Sequence, residues 1–265
     1  MRYTNKKSEK SQSGYCTFYD LCIMNLIIDA GNTYVKYAVF DSEDIIFHKE
    51  TKLAEVVLTV KEVCDLYPKI EWAILSSVNS LDPKVVALLS IYCKLHQLSP
   101  KTKTPFKNSY ATPQTLGADR IALATAAFYH NHLGNTLVID AGTCVTYDMV
   151  NDYGEYLGGA ISPGLQMRYK ALHRQTARLP LLTPEEIPDF IGNATENSIH
   201  SGVINGLCHE IDGFINRYKS RFTDLTVILT GGDAQFLSKR LKNTIFADSN
   251  FLLSGLNYLL EYNKQ

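Results

Sequence analysis

The feature that most limits what this chain can fold into is an apolar strand ending in Asp-Ala-Gly, written twice. LIIDAGNTYVKYAVF occupies residues 26–40, and LVIDAGTCVTYDMVN occupies residues 137–151, more than a hundred residues later. In each copy the aliphatic run reads as a buried strand, Asp-Ala-Gly as a tight turn, and the residues after it as a returning strand. Asp29 and Asp140 therefore head equivalent hairpins, each at the start of its own half, and the chain reads as a duplication. Two similar halves facing one another leave a cleft, into which the first hairpin of each can point its turn. A carboxylate at such a turn, followed by Gly and a hydroxyl residue (Gly31-Asn32-Thr33 and Gly142-Thr143), suits phosphate. The small backbone lets phosphate oxygens approach N–H and hydroxyl donors, while the Asp holds a cation or a metal-bound water against them. Asp, Gly and Asn are turn residues in any case, so one copy would carry little. Two copies in register beneath matching strands point to phosphate handling.

A third element joins the two hairpins. VILTGGDAQFL, residues 227–237, runs an apolar strand into Thr230-Gly231-Gly232-Asp233, a turn open enough for a nucleotide to lie on its backbone. Between these landmarks the pattern is mixed α/β. Strands are expected at Asn25–Ala30, Tyr34–Phe40, Asp44–Thr51, Glu71–Val78, Thr136–Ala141, Val145–Val150, Tyr156–Ile161 and Thr226–Thr230. Helices are expected around Leu53–Leu66, from Pro83 through VVALLSIYCKL, and over Leu116–His130, Asn197–Arg221 and Phe251–Tyr262, with Lys101–Asn108 a loop. This divides the chain into residues 24–115 and 116–265, two halves of one fold.

Composition excludes more than it identifies. At 265 residues, 45% hydrophobic and 20% charged, the chain can bury a sizeable core. A net charge of -1 offers neither nucleic acid nor an anionic membrane a basic surface. No apolar run is long enough for a membrane span. The six cysteines are scattered without a CxxC pair, so a reduced, cytoplasmic protein is expected, with no zinc site or disulfide framework. Residues 1–23 are polar and aperiodic, and they lack the uninterrupted apolar core of a secretory signal. They read as a disordered extension or as the product of an upstream start codon, with Met24 directly before the first strand.

The order of the three elements resembles the nucleotide fold shared by actin, the heat-shock ATPase chaperones, sugar kinases and acetate kinase. That is a duplicated, ribonuclease H-like α/β fold whose two hairpins hold the β and γ phosphates and whose late Gly-Gly turn meets the adenosine. Within it, DAGNTYVK from Asp29, LGADR from Leu116, IDAGTCVT from Ile139, GGAISPGL from Gly158, TARLP from Thr176 and GNATENSIHSG from Gly192 resemble, in this order, the motifs of type III pantothenate kinases. The resemblance runs from Met24 to the end. It departs at Cys144, where a small alanine is more usual, and at the N-terminal extension.

The resemblance implies transfer of the ATP γ-phosphate to the primary hydroxyl of pantothenate, the first step towards coenzyme A, by a cytoplasmic homodimer. It implies ATP contacts along Asp29, Ala30, Gly31, Asn32, Thr33, Tyr34, Val35 and Lys36 and at Thr143. Asp140 is implied to bind a monovalent cation (K+ or NH4+), with Mg2+ arriving on the nucleotide. Pantothenate contacts are implied at Tyr110, Gly117, Ala118, Asp119, Arg120 and Thr195, with Asp119 as the base. Such a base is chemically reasonable, because phosphoryl transfer needs positioning, charge neutralisation and an acceptor for the hydroxyl proton. Spacing alone reads these residues more plainly: Asp119 as a helix cap, Arg120 as an exposed first-turn arginine, Tyr110 as packing and Thr195 as a cap. His130, His132 and Cys144 are read as structural. The Gly202/Gly206 pair signals close helix packing. Two rivals stand beside the kinase: a sugar or acetate kinase of the same fold, and a non-catalytic accessory factor in transcription.

Overall fold

The structure, a computed structural model, describes residues 23–31, 34–77, 82–99, 101–186 and 189–264. Of the segments singled out above, residues 1–22, Asn32, Thr33 and Val78 lie outside the described residues. The chain first builds β1 (Met24–Ala30), β2 (Tyr34–Asp41), β3 (Asp44–Lys52), α1 (Val56–Leu66), β4 (Ile70–Ser77), α2 (Pro83–Tyr92) and β5 (Lys94–Gln97). After a short β6 (Lys107–Asn108) come α3 (Ala118–His130), β7 (Thr136–Ala141), β8 (Cys144–Val150), β9 (Glu155–Pro163) and α4 (Leu165–Gln175). The rest is α5 (Thr195–His200), a π-helical stretch (Ser201–Asn205), α6 (Gly206–Lys219), β10 (Thr226–Thr230), α7 (Ala234–Ser238), β11 (Phe246–Ala247) and α8 (Phe251–Asn263).

Two sheets carry the duplication. One runs β3-β2-β1-β4-β5; the other, read from its far edge, runs β9-β8-β7-β10-β11, with β6 added beside β9. In both, the first strand pairs antiparallel with its hairpin partner and parallel with the strand that returns after a helix. Asp29 thus lies between Lys36 and Ser76, and Asp140 between Thr146 and Thr230, at equivalent places. By the same correspondence α3 follows the first sheet as α8 follows the second. α3 comes after the 115/116 division drawn from the sequence, and β6 joins the second sheet before it.

Strand alternation decides the layers, because successive side chains point to opposite faces. Leu26, Ile28 and Ala30 pack outward with Val60, Val63 and Leu89 of α1 and α2. Ile27 points inward to a central layer of α3 and α8, shared with Val138 and Ile228 of the second sheet. Leu137, Ile139 and Ala141 face the other way, onto α4, α6 and α7. The alanines of α3 have a reason: a Cβ on Gly255 of α8 would stand 2.1 Å from the Ala122 carbonyl oxygen, so the two backbones nearly touch. These outer and central layers hold the ends of β1 and β7, where Asp29 and Asp140 sit.

Several elements differ from the sequence reading. The helix from Pro83 stops at Tyr92; Cys93 turns extended, and Lys94–Gln97 adds a strand beside β4. Lys107–Asn108, expected as loop, pairs with β9. α4, α7 and β11 carried no sequence expectation. The long helix spans 195–219, as its periodicity suggested, but loosens into a π turn around Gly202. Among the described residues nothing lies within 4 Å of where a Cβ would stand on Gly202 or Gly206, so these residues show no close helix packing there.

Candidate active site

Asp29 and Asp140 sit next to last in β1 and β7, where buried aliphatic strands give out and the turns begin. Burial pushes Asp29 above the usual carboxylate range, against the Ser76 hydrogen bond and the Lys36 charge, with Asp119 adding to the rise. Burial, then Asp119, pushes Asp140 up to about 7, while Lys36 pulls it down. Asp29, Asp119, Asp140 and Lys36 therefore come close enough to feel one another's charge, although they come from β1, α3, β7 and β2.

Gly231 closes the floor of this site. It follows β10 with φ +95, and a Cβ there would meet Asp140 Oδ1 at 2.3 Å and the Ala141 carbonyl oxygen at 2.4 Å. Only glycine takes this conformation cheaply and leaves the two oxygens room to converge. The Thr143 hydroxyl side is exposed on the β7–β8 turn, whose Gly142 N–H donates to the Cys144 carbonyl at 2.9 Å.

Asp119 lies in the first turn of α3, where unpaired N–H groups and the helix dipole favour a carboxylate. It is not the cap: that position is Gly117, which has no side chain to offer. Asp119 Oδ1 accepts the Arg120 N–H at 2.9 Å, and a Cβ on Gly117 would stand 2.4 Å from the same oxygen. The glycine thus makes space for the carboxylate. Ala118 begins the helix beside it.

Arg120 is only 5% exposed, so the reading of it as an exposed first-turn arginine is wrong. Its Nε donates to Asp148 Oδ1 at 2.7 Å, and its guanidinium carbon lies 5.5 Å from the Tyr110 ring centre. Asp148, fully buried on β8, also accepts from the Tyr156 hydroxyl at 2.7 Å and the Thr146 hydroxyl at 3.0 Å. Burial pushes Asp148 up against the pull of Arg120 and the two hydroxyls. Burial would lower the Arg120 pKa, but Asp148, Tyr156 and Tyr110 outweigh it and the net direction is up. Tyr110 leans on Tyr156 and lies where a Cβ of Gly158 would be, 2.9 Å from its ring; Gly158 has φ +86.

A cleft of about 510 Å³ opens between the halves, lined by Lys36, His48 and Glu50 from the first and by Gly231, Gly232, Gln235, Asp248 and Asn250 among others from the second. Lys36 joins this cleft to the carboxylates. Gly31 and Tyr34 flank the turn, with Tyr34 half exposed, whereas Ala30 and Val35 are buried in the outer core and offer the turn only backbone. Thr195 lines neither this cleft nor the carboxylate cluster. It lies in a larger groove of about 1060 Å³ with Arg168, Gly192, Asn193 and Ser198. Ala194, not Thr195, is the α5 cap residue. Sequence reasoning missed Asp148 and Tyr156, and it had Gly158 only as a motif residue. The available signal was Asp148, a charge inside an otherwise buried strand.

The family model of type III pantothenate kinases matches residues 25–217. The type III pantothenate kinase of Christiangramia forsetii is 52% identical over 241 residues, covering 91% of this chain and 99% of that one. Among solved structures, one described as a Baf family transcriptional activator from Campylobacter jejuni aligns with TM-score 0.57 at 21% identity, over 90% of this chain and 98% of that one. A glucokinase from an Antarctic psychrotroph aligns with TM-score 0.52 at 13% identity, over 91% and 99%. At those identities the structures speak for the fold alone, a duplicated actin-like ATPase fold. The sequence match is of another order, covers both Asp-headed hairpins, and includes the LGADR turn: the chain belongs to the type III pantothenate kinase family.

Proposed function

We propose that the cleft and the Asp29–Asp119–Asp140–Lys36 cluster carry the family's reaction in this chain. The protein is an ATP-dependent pantothenate kinase that forms phosphopantothenate for coenzyme A biosynthesis. The supporting observation is the convergence of three carboxylates and one ammonium at the end of a cleft between two halves of a nucleotide fold. The nucleotide lies along the cleft, its phosphates against the two turns. Lys36 and the turn N–H groups balance phosphate charge. The pantothenate hydroxyl oxygen attacks the γ-phosphorus, the bond to the ADP oxygen breaks, and Asp119 takes the hydroxyl proton. Arg120 and Tyr110 face the substrate, with Gly117 and Ala118 giving backbone room.

Asp140 Oδ1 and the Ala141 carbonyl oxygen both lie beside Gly231, and oxygen donors alone suit a hard cation. These two atoms would hold K+ or NH4+, which supplies positive charge beside the phosphates. Mg2+ is taken to arrive on the nucleotide, whose phosphates it would bridge. Among the described residues no helix is long and apolar enough to cross a membrane. Cys64, Cys93, Cys144 and Cys208 are free, which supports the proposed cytoplasmic location. A homodimer is proposed on the groove beside Thr195, with exposed Leu181, Phe190 and Ile191 adjoining it in sequence and Gly202 bare at its side.

The test is pantothenate-dependent ADP release, with potassium or with a bulky organic cation. Release that needs both pantothenate and a small monovalent cation is expected. Release with hexose or acetate in place of pantothenate would overturn the substrate, and equal rates in both salts would overturn the cation.

A further inference from the structure

We propose that Asp148 is a positioning residue for phosphoryl transfer, holding the Arg120 guanidinium away from Asp119 so that the neighbouring carboxylate stays free to accept a proton. The inference rests on the assignment of Asp119 as the base.

Asp119 and Arg120 are adjacent in the first turn of a helix, and Asp119 already turns back to accept the Arg120 N–H. Neighbours on a helix point in different directions, but an arginine left loose there has a stem long enough to swing its charge back towards that carboxylate. A base so paired accepts a proton less readily. The structure prevents this by turning Arg120 inward. Asp148 takes its Nε at 2.7 Å, and this oxygen is itself fixed by the Tyr156 hydroxyl at 2.7 Å while its twin receives the Thr146 hydroxyl at 3.0 Å. Asp148 and Tyr156 are fully buried, so neither can drift towards solvent. Of the other donors, Nη2 has only a long 3.5 Å contact to the Tyr147 carbonyl, and the guanidinium lies beside the Tyr110 ring. Tyr218 senses both charges of this pair, and Asp140 senses that of Asp148. A buried ion pair is a poor source of stability, since apolar residues of similar size usually serve as well. Its specific value here is where it puts a charge.

The experiment measures kcat and both KM values for Asp148→Asn, Arg120→Met and the double variant, by pantothenate-dependent ADP release. Asp148→Asn should lower kcat by at least about tenfold, because a freed guanidinium neutralises the base, with the KM for ATP little changed. Adding Arg120→Met to Asp148→Asn should raise kcat again, while KM for pantothenate stays high. A merely structural carboxylate would give no such rescue. A double variant as slow as Asp148→Asn, or slower, overturns the proposal, as does wild-type kcat in Asp148→Asn. If Asp148→Asn does not fold, the double variant, which leaves no buried charge unpaired, is compared with Arg120→Met alone. A kcat within about threefold is expected if Asp148 acts only through Arg120, and a further fall of about tenfold overturns it. Failure of the functional reading looks different: wild-type protein silent on pantothenate, or Asp119→Asn at full rate.

Discussion

Gly117→Ala is a one-methyl perturbation aimed at Asp119, the proposed base. The new Cβ would stand 2.4 Å from Asp119 Oδ1, against an ordinary contact from 3.4 Å upward, so the carboxylate must retreat by about 1 Å. The clash falls on the end of a side chain, and the glycine's φ -61 and ψ 144 suit alanine, so the backbone need not move. The fold cost should be that of a poorer helix cap, roughly 0.5–1 kcal/mol, or a Tm lower by about 1–4 °C. A catalytic group displaced by about 1 Å loses on the order of 100-fold in rate. The pairing of near-normal Tm with a kcat down about 100-fold, and ATP KM unaltered, is what ADP release and a thermal melt should show. A kcat within about threefold of wild type would refute the reasoning, because it would mean the carboxylate's present position is not the productive one.

Other outcomes follow from the same geometry. Asp140, pushed up to about 7 by burial and its acidic neighbours, is protonated more readily folded than unfolded. Its contribution to stability is therefore full below about 3.8 and is lost as pH rises through about 7. A cation binds the ionised form, so the Tm increase caused by potassium should grow from pH 6 to pH 8; an increase that shrinks over that range would contradict the cation role. Gly255→Ala would place a Cβ 2.1 Å from the Ala122 carbonyl, where backbone meets backbone. Overpacking of that kind costs about 1–3 kcal/mol, and calorimetry should find Tm lower by roughly 2–10 °C; an unchanged Tm would show that α3 and α8 do not pack this closely.

The long elements were legible because each carried a long apolar run. β1, β7 and β10 are runs of aliphatic residues buried on both faces, and α3 and α8 are apolar nearly all round. β5, β6 and β11 were not, since two to four residues that need a neighbouring strand leave no periodic signal. α4 hid because Leu165–Gln175 mixes charged and apolar residues, with only Leu165 and Tyr169 buried. Asp29, Asp140 and Gly231 were legible as chemistry because turns state themselves locally. The role proposed for Asp119 rests on family resemblance rather than spacing. The Arg120–Asp148 pair was invisible: the partners are 28 residues apart and meet only when α3 packs on β8. For the same reason Gly158 showed as a motif residue but not as the space that Tyr110 occupies.

The central claim, that Asp119 takes the hydroxyl proton, is tested most directly by single-turnover transfer from ATP to pantothenate in Asp119→Asn. Asparagine can still accept the Arg120 N–H, so the helix start and nucleotide binding should survive. Transfer should nevertheless slow by about 100-fold or more, the usual scale for losing a positioned base. Transfer at the wild-type rate, with the fold intact, would contradict the account.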